Sequence, residues 1–317
     1  MYGLIPCPVS GPGCLLIFPV NLPVAMSYKS LFTSLVSVFV SAGALLHGAT
    51  VAEWNFDQDL SLVGASLADA SGVDITGNGN TMLGYDQFYG ATYSALGDTP
   101  NGTGLSMEAN GNNDGYVANA NAGALRYWSP STWTIEATVS LDGLSGWRTL
   151  IGKDGSTSGS NESDFYLQAC GDTGEFRVLF KTVSGQRVDL RSGVVPDLGR
   201  WYQLAVVSDG ATVSLYVNDG AGYALAGSVA LTGATADDNR LSDGNGSAWI
   251  FMRGWYQGKS VDRVDGRMDN IRFSDVALSP AEFLSTGSKG TLILISSRMV
   301  LPGHGAAVLD ANQAQRS

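Results

Sequence analysis

The sequence predicts an all-β fold, a two-sheet antiparallel β-sandwich. Three observations point to it. Short runs of alternating apolar and polar residues recur along the chain, and period-two alternation puts successive side chains on opposite faces of a strand. Turn chemistry separates these runs: the 317 residues include 41 glycines, with Asn and Asp beside many of them. No heptad run and no long amphipathic helix interrupts the pattern.

The expected strands follow in order. Val51–Phe56 and Gly104–Glu108 come first, separated by turn-rich sequence such as "ITGNGNT" (75–81). Trp133–Leu141 alternates strictly, with Trp133, Ile135, Ala137 and Val139 opposite Thr134, Glu136 and Thr138. Arg148–Lys153, Asp164–Gln168 and Phe176–Lys181 succeed it, the first two flanking the loop "DGSTSGSN" (154–161). The stretch "LGRWYQLAVVSDGATVSLYVNDG" (198–220) is a hairpin. Its two alternating runs meet at Asp209-Gly210, where glycine accepts the positive φ of a tight turn. Tyr223–Ala230, Trp249–Arg253 and Arg267–Phe273 complete the set. Ser279-Pro280-Ala281-Glu282 is expected to open a helical turn, with serine as cap, proline first and glutamate third.

The body is expected over residues 50–285. Before it, residues 26–49 have the layout of a secretory signal peptide. Lys29 supplies a positive start, Leu31–Leu46 an apolar core, and Ala42-Gly43-Ala44 or Ala49 a small-residue cleavage site. A membrane anchor is the alternative. Residues 1–25 carry no charge and precede this signal, which suggests an over-extended reading frame with the true start at Met26. Residues 286–317 form a tail of unassigned role. With Cys7 and Cys14 in the leading segment, the mature chain keeps Cys170 alone and no internal disulfide is expected. The net charge of −11 argues against a nucleic-acid partner. It suits an exported protein, secreted or periplasmic, or one that collects cations.

"TWTIEATVSL" (132–141), "RTLIGKDG" (148–155), "DFYLQACGDTGEFRVLF" (164–180), the hairpin at 198–220 and "VDGRMDNIRFSDVALSPAEF" (264–283) occur in an order that resembles the LamG-like jelly-roll domains of the concanavalin A-like lectin/glucanase superfamily. The resemblance covers roughly residues 51–285. It implies two antiparallel sheets packed face to face, Ca²⁺ near the junction of the first and last strands, and sugar binding or adhesion. It differs at Thr138, where the family often carries tryptophan; a sugar-stacking platform on that face is then missing.

Several chemistries are excluded by composition. The histidines, His47 and His304, flank the body, so no Ser-His-Asp or Cys-His arrangement can form within it. Zinc loses its usual ligands, and no phosphate loop is present. Paired-carboxylate hydrolysis needs two acids about 5 Å apart when retaining. The body's glutamates, at 53, 108, 136, 162, 175 and 282, are scattered. Glu136, in mid-strand, reads as a polar residue on a solvated sheet face. A tyrosine- or lysine-based lyase stays open.

Calcium takes several carboxylate, amide and carbonyl oxygens. The resemblance places such an ion among Asp57, Asp69, Asn78, Asn80 and Asp269, with a structural role; Asn110, Asn112, Asn113 and Asp114 form a weaker second cluster. A ligand site needs exposed aromatics beside polar groups. Arg253, Trp255, Tyr256 and Gln257 supply these in an expected loop, and Trp147 with Arg148 forms a second pair. The resulting expectation is a non-catalytic module for a polysaccharide, glycoconjugate or other surface ligand. A polysaccharide lyase or hydrolase of the same fold and a structural envelope protein are the alternatives.

Overall fold

The computed structural model describes residues 50–85, 91–111, 116–119, 124–154, 163–244 and 247–285. These all lie in the second of two compact units into which the chain divides, Leu45–Ser317. The expected signal segment, the leading 25 residues, the tail from 286, and Asn112, Asn113 and Asp114 lie outside the described residues.

One sheet contains β1 (Thr50–Trp54), β3 (Thr92–Tyr93), β4 (Met107–Asn110), β6 (Trp133–Leu141), β11 (Trp201–Ser208), β12 (Thr212–Asn218), β13 (Tyr223–Ala230) and β17 (Asp265–Ser274). Its order is β13-β12-β11-β6-β17-β4-β3, with β1 also paired to β17. The second sheet runs β10-β9-β8-β7-β14-β5-β2. Its strands are β2 (Leu83–Tyr85), β5 (Tyr116–Asn119), β7 (Arg148–Lys153), β8 (Phe165–Ala169), β9 (Phe176–Lys181), β10 (Arg187–Arg191) and β14 (Trp249–Phe251). A separate two-stranded hairpin joins β15 (Gly254–Tyr256) to β16 (Lys259–Val261). All pairings between these strands are antiparallel, as the turn spacing required.

The alternation in sequence becomes the two faces of each sheet. Trp133, Ile135, Ala137 and Val139 face inward from β6, and Phe165, Leu167, Phe176, Val178 and Phe180 face them from the second sheet. Edge-to-face aromatic contacts bridge the layers, among them Trp133–Phe180 at 5.6 Å and Trp249–Phe273 at 4.9 Å. Trp54, Trp133 and Trp249 are fully buried. Trp133→Ala should cost about 3–5 kcal/mol, the usual range for emptying such a site, measured by chemical denaturation. A loss below about 1 kcal/mol would show that the surrounding rings close the cavity.

The outer face of β6 is also buried, which corrects the solvated-face reading of Glu136. Glu136 is 1% exposed. The segment after β17 crosses this face, pinned at both ends. Thr134 Oγ1 donates to the Val276 carbonyl at 2.7 Å and accepts from Leu278 N–H at 2.9 Å. Farther on, Glu136 accepts from Leu284 N–H at 2.6 Å. Gln203 Nε2 and the Tyr223 hydroxyl both donate to the Leu284 carbonyl at 2.9 Å. Phe283 sits between Tyr216 and Tyr223, at 5.3 and 4.9 Å. The carboxylate half of the expected capping box at Ser279 is seen: its N–H and hydroxyl both donate to Glu282 Oε2, while Glu282 N–H donates to the Ser279 carbonyl at 2.9 Å, and the chain makes a turn there rather than a helix.

Candidate functional site

With part of one outer face closed by this strap, the outer face of the other sheet carries a cleft. It is about 450 Å³. The period-two alternation of three adjacent strands builds its floor. Phe165, Leu167 and Ala169 point into the core, so Tyr166 and Gln168 point out; Phe176, Val178 and Phe180 point in, so Arg177 and Leu179 point out. In register, Thr149, Gln168, Arg177 and Arg191 form one cross-strand row, and Tyr166, Leu179 and Asp189 the next. Arg187 and Arg191 form one rim; Trp147, Tyr256 and Asp262 complete the lining.

These side chains are held in place. Arg177 makes a two-pronged contact with Asp189, at 2.6 and 2.5 Å, and its guanidinium lies 5.2 Å from the centre of the Trp147 ring. Arg187 shares Asp189 at 3.1 Å. Arg191 is tied to Asp172 and Glu175, at 3.1 and 3.3 Å. Hydrogen bonding to Arg177 holds the Asp189 carboxyl below the usual range, more than burial raises it. The Trp147 ring lies so close to Gly171 that any side chain there would meet it.

The β15–β16 hairpin forms the opposite wall. Its two-residue loop, Gln257-Gly258, has φ of 50° and 74°, as a type I′ turn requires. The hydroxyls of Tyr166 and Ser163 donate to the Trp255 carbonyl and anchor the hairpin over the floor. Tyr256 thereby stands exposed on the rim. Asp262 follows the hairpin at a φ of 57°, a left-handed conformation uncommon outside glycine. Burial raises its carboxyl above the ordinary range, against a hydrogen bond from Thr149 and the charge of Arg148. Gly254 leaves it room, since a Cβ there would lie 3.0 Å from its Oδ2.

Of the ligand residues expected from sequence, Trp147 and Tyr256 come together on this cleft. Arg253 is 2% exposed and grips Asp154 through two contacts of 2.7 Å, behind the half-buried Trp255. Gln257 occupies the turn. Arg148 donates to the carbonyls of Gly143 and Arg263, at 3.2 and 2.8 Å, and so fixes the loop beneath the wall. Sequence reading missed Tyr166, Gln168, Arg177, Leu179, Arg187, Arg191 and Asp262. The alternation of "RVDLR" (187–191) contained the signal for β10 and its outward arginines.

A second arrangement lies where β17 changes partners. It pairs with β4 through Met268 and with β1 from Ile271, and a bulge separates the two segments. Asn270 in the bulge and Phe56 just beyond β1 both have positive φ, 46° and 56°. These turns bring Asp57 into electrostatic contact with Asp269, which is 4% exposed. Burial pushes the Asp269 carboxyl well above its ordinary range; the Asn270 N–H opposes this and the Asp57 charge adds to it. Asp57 Oδ1 accepts from Leu105 N–H at 2.9 Å, and a side chain at Gly104 would collide with its carboxylate. Two hard oxygen donors of like charge, one buried, fit a calcium ion. Among the described residues no group of three or more Asp, Glu, His or Cys is gathered, so such an ion would draw its other ligands from carbonyls, amides and water.

Of the other calcium candidates, Asn80 and Asn78 are bonded to protein groups. Asn80 is fully buried; its amide donates to Val51 O and Asp74 Oδ2, and its Oδ1 accepts from Leu125 N–H. Asn78 donates to the Thr50 and Val51 carbonyls. Asp69 is exposed in the preceding turn, and Asn110 ends β4. The loop 74–80 is organised by Asp74, which accepts from the backbone of Glu53, Thr76 and Asn80.

This architecture is a concanavalin A-like jelly-roll sandwich with a polar, aromatic-rimmed cleft on one sheet. The family model Laminin_G_3, of the concanavalin A-like lectin/glucanases superfamily, matches residues 110–283, and the chain belongs to that family. Among solved structures, it is similar to domain 4 of AbnA, a GH43 extracellular arabinanase from Geobacillus stearothermophilus, in complex with arabinotriose. The TM-score is 0.53 at 17% identity, over 74% of this chain and 96% of that one. It is also similar to the binding domain of Paraclostridial Mosquitocidal Protein 1, with a TM-score of 0.50 at 14% identity, over 74% of this chain and 50% of that one. The comparison with curated proteins found no match. No helix among the described residues is long and apolar enough to cross a membrane.

Proposed function

We propose that this protein is a secreted, non-catalytic glycan-binding domain whose site is the Trp147–Tyr256 cleft, with calcium at Asp57 and Asp269 as a structural ion. The carrying observation is the cleft itself. Two aromatic side chains rim a floor of planar polar groups, each fixed by its own partners before a ligand arrives. Aromatic rings stack on the apolar faces of sugars, while amide, guanidinium and carboxylate groups bond their hydroxyls. Preorganisation lowers the entropy lost on binding. The arabinotriose complex of the similar arabinanase domain supports a saccharide ligand. The signal-like segment at 26–49 supports export. Among the described lining residues Asp262 is the one carboxylate, whereas two-carboxylate glycoside hydrolysis uses a pair.

A glycan array followed by titration of the strongest hit tests this reading. Trp147→Ala and Tyr256→Ala should each weaken binding by about tenfold or more, as expected of aromatic anchors. Trp255→Ala should weaken it less, because that ring packs against Arg253, 5.6 Å away, and does not line the cleft. Undiminished binding in both rim variants would sink the site. Release of reducing ends or unsaturated products from mixed polysaccharides would favour an enzyme instead.

A further inference from the structure

We propose that the cleft takes a neutral, hydroxyl-bearing saccharide and discriminates against uronate-, sialate- or sulfate-bearing chains, with Asp262 as the selecting group. This rests on the glycan-binding reading of the same cleft. Three arginines in the lining at first suggest an anion site, but their surroundings balance them. Arg177 and Arg187 share Asp189, and Arg191 is held by Asp172 and Glu175. Asp262 adds a fourth carboxylate, on the wall facing the ligand space. An anionic ligand would therefore meet no net positive charge. It would also have to compete with the two-pronged Arg177–Asp189 contact, which is mostly buried on the arginine side.

Donor and acceptor inventory points the same way. An ionised carboxylate only accepts hydrogen bonds, so whatever faces Asp262 must donate. A sugar hydroxyl both donates and accepts; a uronate or sulfate oxygen can only accept. An arginine–carboxylate pair presents N–H and oxygen side by side, which suits neighbouring hydroxyls. The chain's net charge of −11 further disfavours encounter with polyanions at low salt.

The test is affinity electrophoresis and calorimetry of the full chain against two neutral polymers, laminarin and galactomannan, and three anionic ones, polygalacturonate, alginate and heparin. At least one neutral polymer should bind about tenfold or more tightly than any anionic one. Because no ion pair forms, that affinity should change by less than about twofold between 50 and 300 mM salt. Asp262→Asn keeps the shape and suits the left-handed backbone, which asparagine tolerates. It should narrow the neutral-to-anionic ratio by about fivefold or more, by removing a like charge at contact distance. An anionic polymer that binds as tightly as the neutral ones, with affinity falling steeply in salt, would overturn the inference while leaving glycan binding intact. A ratio unmoved in folded Asp262→Asn, checked by its melting curve, would overturn the role of Asp262. Binding to no polymer here and to no glycan on the array would remove the parent reading and this inference together.

Discussion

Glu136→Ala will lower the free energy of unfolding by about 3–5 kcal/mol, the range found when one partner of a buried ion pair is removed. The Glu136 carboxylate is buried, and both its oxygens are engaged. Oε2 accepts from Arg272 Nε at 2.6 Å, and Oε1 accepts from Leu284 N–H at 2.6 Å. The alanine variant leaves a guanidinium that is 15% exposed without its carboxylate. It also releases the end of the strap that covers Ala205 and Val207. The expected companion effect is earlier proteolysis near Phe283, whose ring, between two tyrosines, is the apolar anchor of the strap's far end. A cost below about 1 kcal/mol would place the pair with exposed salt bridges.

The same residue gives a pH signature with a definite sign. Burial raises the Glu136 carboxyl above its ordinary value of 4.5, more than Arg272 and the Leu284 N–H lower it. Between that value and the raised one, the folded state binds more protons than the unfolded chain. The contribution of Glu136 to stability therefore falls as pH rises through this interval and is constant above it. The stability difference between the wild type and Glu136→Gln should shrink as pH rises through that interval. A difference that grew with pH would mean that the attraction of Arg272, not burial, dominates.

Calcium should raise the melting temperature of chelator-treated protein by about 5–10 °C. At a free concentration about a hundredfold above Kd, a ligand of the folded state alone adds about 2.7 kcal/mol. For a domain of this size each kcal/mol moves Tm by about 2–4 °C. The physical reason is the Asp57–Asp269 contact, in which burial and the neighbouring Asp57 charge disfavour the charged form of the Asp269 carboxyl, a cost that a bound cation would offset. Asp57→Asn should therefore have opposite effects in the two conditions. In calcium it removes a ligand and destabilises. In chelator it removes a repelling charge, while the new amide oxygen still accepts from Leu105 N–H, so stability should stay level or rise. A Tm indifferent to both calcium and chelator would sink the metal proposal.

Much of the fold was legible because alternation is a local property. Trp133–Leu141, Arg148–Lys153 and Phe176–Lys181 appear with the expected boundaries. The Asp209-Gly210 turn forms with Asp209 Oδ1 accepting from Ala211 and Thr212 N–H. The short strands β2, β3, β5, β15 and β16 were not legible, because two to four residues are too few to show a period. The hairpin at 254–261 was expected as a loop for that reason, and its I′ turn is Gln-Gly rather than the stronger Asn-Gly signal.

Local pattern was enough for most of the longer strands, their inward faces, the absence of histidine chemistry from the body and two of the cleft's aromatic residues. The tertiary structure decided which outward face is available. Residues 276–284 cross β6 and bury Glu136, a contact with a partner well over a hundred positions away that no local pattern encodes. The same long-range packing places Trp147, Arg177, Tyr256 and Asp262 around one space, although they come from three separate segments. It also directs Arg253 inward to Asp154 while its neighbour Tyr256 faces solvent. A side chain's type is written locally, but whether it meets ligand, core or another charge depends on which strand the fold lays beside it.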